Sequence, residues 1–214
     1  MSTLKTINLQ HPTAATANIT LSNTGGIALN GSVSGGGMDL ITPTSVAGTG
    51  VTFSGGLISF SAATTISING CFTSAYDVYS LVLRLTGISV DTQIAIRLRA
   101  LGVDDSAANY DWAGAYNGGA TGNEYLTGQT SWPYVMTTDA GNNNSFYGGI
   151  FNIMSPALTT QKVIIGKSIG RDFSGLLLLR SIGGSKNITT ACDGVSLITS
   201  GITGQLRIYG LRNS

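Results

Sequence analysis

The sequence predicts an all-β protein: an antiparallel β-sandwich, jelly-roll-like, preceded by an extended β-rich N-terminal arm. Three observations predict it. Apolar residues recur two apart through most of the chain, the period of a strand with one buried face. Clusters of Gly, Asn and Ser fall between these segments and mark turns. No stretch combines a 3.6-residue apolar period with helix caps.

Residues 1–62 carry the first elements. Ile7 and Leu9, Ile19 and Leu21, Ile27 and Leu29, and Val51 and Phe53 each sit two apart. Asn23-Thr24-Gly25-Gly26, Asn30-Gly31 and Gly35-Gly36-Gly37 separate them as turns. Strands this short hold no private core, so the segment is expected to be an arm whose edges pair with neighbouring chains. Longer strands start near residue 63. Leu81, Leu83 and Leu85 point one way and Val82 and Arg84 the other; Ile94, Ile96 and Leu98 oppose Ala95, Arg97 and Arg99. Further strands are expected at 148–154, 161–169, 174–182, 194–198 and 204–211. A long polar loop region is expected at 103–146, within a sandwich domain spanning 63–214.

Charge divides the chain unevenly. Residues 1–70 contain only Lys5 and Asp39, and the other nineteen charged side chains follow. Over the whole chain 10% of residues are charged, against about 25% in ordinary globular proteins. A free domain covers its surface with Lys, Glu, Arg and Asp. A segment this bare is expected to be covered by copies of itself or by a larger assembly. Net charge is +1 with no Lys/Arg run, so nothing points to nucleic acid. The longest aliphatic run, Leu176–Leu179, is far short of the roughly 20 residues of a membrane span. The start has no signal-type apolar run, which predicts synthesis in a cytoplasm without export by that route. Cys71 and Cys192 are expected to be small buried hydrophobes in a reducing compartment. They would pair only if two strands bring them together.

Motifs of chemistry are sparse. His11, the single histidine, lies in the arm beside Pro12, and no G-x-S-x-G pattern accompanies it. Gly166-Lys167-Ser168 ends like a phosphate-binding loop, but Gln161 occupies the place of its first glycine. Asp104, Asp105, Asp111 and Glu124 share the loop region and could serve as paired acids or calcium ligands, as could Asp139 with Asn142–Asn144. Their plain role is that of solvated turn residues. The expectation is no catalytic residue, no metal and no cofactor. The loop region also holds Tyr110, Trp112, Tyr116, Tyr125, Trp132 and Tyr134. Three roles stay open for them: a sugar-stacking surface, anchors between subunits, or packing beneath their own loop.

Three stretches carry a resemblance: LKTINLQHPTAATANITLSNTGG at the start, INGCFTSAYDVYSLVLRLTGISVDTQIAIRLRALGVDDSAANYDW in the middle, and SGITGQLRIYGLRN at the end. Together they resemble bacteriophage virion surface proteins of the head-fibre, decoration or short tail-fibre kind. The resemblance implies a non-enzymatic virion component, often trimeric, assembled in the host bacterial cytoplasm and displayed on the virion surface. Its arm, including Ile7, Leu9, Ile19, Leu21, Ile27 and Leu29, would contact sibling chains and other capsid or tail proteins. Its sandwich would face outward, with a host-surface glycan as a candidate ligand. The chain is short for a long tail fibre and has no coiled-coil heptads. The alternatives are a stand-alone lectin-like glycan-binding module and a polysaccharide-degrading enzyme.

Overall fold

A computed structural model of the chain describes residues 8–9, 19–21, 27–29, 37–118, 121–142 and 147–212. They divide into two units, Met1–Gly36 and Gly37–Ser214. In the first, β1 (Asn8–Leu9), β2 (Ile19–Leu21) and β3 (Ile27–Leu29) form an antiparallel sheet in that order, with Asn8 opposite Thr20 and Ile19 opposite Leu29. Leu9, Ile19, Leu21, Ile27 and Leu29 therefore lie in strands. Ile7 and His11 fall outside the described residues.

The second unit starts with three short strands, β4 (Met38–Leu40), β5 (Ser45–Ala47) and β6 (Val51–Ser54). Long strands follow: β7 (Leu57–Asn69), β8 (Tyr76–Ile88) and β9 (Thr92–Ala100), with the two-residue β10 (Val103–Asp104). Then come β11 (Tyr110–Gly118), β12 (Gly122–Gln129) and β13 (Trp132–Thr138). The last four are β14 (Tyr147–Met154), β15 (Lys162–Arg171), β16 (Leu177–Lys186) and β17 (Gly194–Arg212). Every pairing is antiparallel. Among the described residues the one helical segment is a 3-10 turn, Ala140–Asn142. Among these residues no helix is long and apolar enough to cross a membrane. The fold is all-β and sandwich-like.

The strand order is β10-β9-β17-β8-β14-β15-β16-β11-β12, with β7 along the other side of β17 and β13 beside β9. β17 makes the corner. Its first half pairs with β9 (Leu197 opposite Ile96) and its second half with β8 (Leu206 opposite Leu83). The register breaks between Ile198 and Ile202, where Gly201 takes φ 62°. A strand that bends at such a break can pass from one layer to the other. β13 then packs over β15 and β16. There Ser168 Oγ donates to the Val135 carbonyl at 2.7 Å and Trp132 Nε1 to that of Ser185 at 3.1 Å. Between the layers lie Leu81, Leu83 and Leu85 of β8, Ile94, Ile96 and Leu98 of β9, and Phe151, Ile153, Ile164, Leu197 and Ile208, all buried.

Two boundaries differ from expectation. The compact unit begins at Gly37, not near residue 63. β7 runs straight across that point, and Ile58 and Phe60 enter the common core, so residues 38–62 belong to the sheet. Residues 103–146 are not mainly a loop, because β11, β12 and β13 occupy most of them. Glycines that suggested turns instead make room for rings. A Cβ at Gly114 would come within 2.6 Å of the Trp112 ring.

Candidate functional site

The six aromatic candidates differ in depth: within a single strand and parity, burial falls from Tyr110 and Trp112 to Tyr116 along β11 and from Trp132 to Tyr134 along β13. Tyr110, Trp112 and Trp132 are buried in the protomer's own core. Tyr110 meets Trp132 edge-on at 5.2 Å, and Trp112 meets the half-buried Tyr134 at 5.7 Å. The Tyr110 hydroxyl donates to the Asp105 carbonyl at 3.0 Å and accepts from the Leu98 N–H at 3.0 Å. Burial pushes its phenol pKa up. As ligand or subunit anchors these three are corrected: they join β11 and β13 to the core and cannot reach a partner. Tyr116 is half-buried, with the Arg180 guanidinium 5.2 Å from its ring centre, and Arg180 pairs with Glu124 at 3.3 Å. Tyr125 is 70% exposed.

The loop-region carboxylates all have partners within the fold. Asp104 binds Arg99, and accepts from Ser196 Oγ at 2.8 Å, with Arg97 at 3.6 Å. Asp105 Oδ2 lies 2.8 Å from the Lys186 ammonium. Asp111 accepts from Asn187 at 3.0 Å and from the Gly128 N–H at 3.3 Å. Asp139 accepts from the Gly141 N–H at 2.8 Å. Among the described residues no three His, Cys, Asp or Glu side chains come together as a metal site. Cys71 and Cys192 are buried free thiols, and burial raises the pKa of both.

A largely aliphatic surface lies exposed on the outer face of β8, β14, β15, β16, β11 and β12. Cross-strand registry builds its rows. Val82, Ile150, Lys167, Ser181 and Ala115 form one. Arg84, Gly148, Ile169 and Leu179 form the next. On the other side run Asn152, Ile165, Gly183, Ala113 and Tyr125. Ile150, Ile165, Ile169, Leu177 and Leu179 are 43–55% exposed. Open hollows of 450 and 360 Å³ lie between them. A third, of 490 Å³, adjoins Tyr116, Asn117 and Asn123. The charged side chains in these rows, Arg84 and Lys167, are both cationic. Wide aliphatic patches on sheet faces mark surfaces that something covers.

Sequence reasoning missed this face, although a signal was present. Lys162–Arg171 and Leu176–Arg180 carry apolar residues at both strand parities, the pattern of a strand with two apolar faces.

No protein-family model matches the chain, and no curated protein matches it. Among solved structures it is similar to a chain of "Structure of infectious bursal disease virus Gt strain", at 11% identity and TM-score 0.12. The alignment covers 97% of this chain and 52% of that one, so this chain spans about half its length.

Proposed function

We propose that this chain is a non-enzymatic structural protein of a phage virion, a head fibre, capsid decoration protein or short tail fibre. In this reading the N-terminal unit anchors it to the particle and to sibling chains. The sandwich serves particle stabilisation, host attachment or both. The observation that carries the reading is the outward aliphatic face of β14, β15 and β16 on a chain with few charges. A protomer alone leaves that face in water, whereas neighbours packed around an axis would cover it. The resemblance of the three sequence stretches to virion surface proteins supplies the setting, and a homotrimer is the assembly it suggests.

The test is the native mass of the full-length chain and of a shortened chain beginning at Gly37. The protomer is 22.0 kDa. A trimer in the full-length chain supports the proposal, and monomers in both samples at high concentration oppose it. The hollow beside Tyr116, with Asn117 and Asn123 on its rim, favours a second reading as a lectin-like module. That reading requires glycan binding by the protomer and its loss in Tyr116→Ala.

A further inference from the structure

Lys186, Asn109 and Asp105 meet where β16 ends beside the start of β11. Lys186 is directly opposite Tyr110 in the register, its side chain is fully buried, and its ammonium lies 3.7 Å from the Tyr110 ring centre. It donates to Asn109 Oδ1 at 2.7 Å, and Asp105 Oδ2 is 2.8 Å away. The surrounding backbone fixes all three. Asn187 N–H donates to the Asn109 carbonyl at 3.0 Å, and Asp105 N–H donates to that of Leu98 at 2.9 Å. The other Asp105 oxygen accepts from Ala107 N–H at 3.1 Å.

We propose that this cluster is a modification site, at which Lys186 and Asn109 join through an isopeptide bond inside the protomer. A buried amine, an amide carbonyl one bond from its hydrogen-bonded oxygen, and a carboxylate touching the amine are what the condensation requires. Burial lowers the Lys186 pKa and so favours the neutral, nucleophilic amine. Asp105 takes a proton from Nζ, and the freed lone pair attacks Asn109 Cγ. The Nζ–Cγ bond forms. Asp105 passes its proton to Nδ2 and the Cγ–Nδ2 bond breaks. The second proton shed by Nζ leaves with the ammonia. In sum, a lysine ammonium and a primary amide become a secondary amide and an ammonium ion, with Asp105 again a carboxylate. No oxidant or reductant takes part.

The experiment is the denatured mass of the folded full-length chain, followed by peptide mapping. The expected result is a mass one ammonia below that of the sequence, with a branched peptide joining the Asn109 and Lys186 segments. Asn109→Asp should lose one water instead, and Asp105→Asn should stay at its full mass. A native chain at full sequence mass overturns the proposal. So does an ammonia loss that maps to Asn109 alone, as in a cyclic imide, without a branched peptide.

Discussion

Lys162 and Lys186 stand opposite each other on β15 and β16, both turned into the sandwich and both buried. Lys162 donates to the carbonyls of Leu158 and Thr160, and among the described residues its cation has no paired carboxylate. Burial holds its pKa below the usual lysine value. Between its folded and unfolded pKa values the unfolded chain binds more protons, so this group's contribution to stability improves as pH rises through that window. Lys162→Met should remove that slope and leave the neutral-pH urea midpoint unchanged or higher, since a buried charge gives way to an apolar chain of similar length. Cys71 acts in the opposite sense. Its folded thiol pKa is raised well above its ordinary 9.0 by burial. Its contribution is intact below the ordinary thiol range and is lost as pH rises above it. Cys71→Ala should therefore flatten the alkaline fall in stability, measured by urea titration across that range. Among the aromatics, Trp112→Ala should destabilise the fold by about 3–5 kcal/mol, while Tyr125→Ala should stay within about 0.5 kcal/mol. Paired urea melts would distinguish core from surface, and equal losses would contradict the burial difference.

At the scale of the strand, neighbouring residues on β15 should have opposite fates. Ile164 faces the core and Ile165 faces outward, because successive side chains on a strand alternate between faces. Ile165→Lys should leave the chain folded and weaken the proposed self-association. Ile164→Lys should unfold it, because a lone charge in the core has no partner. Sedimentation and circular dichroism on the pair check both outcomes. A protomer whose association is untouched by Ile165→Lys would move the assembly surface elsewhere. The β11–β16 junction adds a second prediction. Asn109 and Lys186 are 77 positions apart. By the loop-closure argument used for disulfides, a covalent link over that span adds about 4 kcal/mol of stability. Asn109→Ala should lower the urea midpoint by far more than one lost hydrogen bond accounts for.

For the whole molecule, the legible part of the sequence was where charge and apolarity alternated cleanly. In β8 and β9 each leucine or isoleucine facing inward has a polar, small or charged neighbour facing outward, and the structure buries the expected set. The all-β class followed from that period and from the turns. What stayed hidden depended on distant partners. Ile58 and Phe60 look like members of a bare arm until β17 lies beside them. Gly114 of β11 looks like a loop residue until the Trp112 ring fills its side of the strand. The aromatic candidates were found by residue type, but whether each faces the core is set by registers the sequence does not state. β17 was visible as two segments, 194–198 and 204–211, because Gly201 and Gly204 look like a turn, whereas the structure runs the strand through them. That strand also sets an order of events during synthesis. β4, β7, β8 and β9 all bond to β17, which leaves the ribosome after every one of them. Until Gly194–Arg212 emerges, these partners are open edges awaiting a strand. A nascent chain stalled before that point would be a substrate for chaperones and proteases rather than a partly finished sandwich.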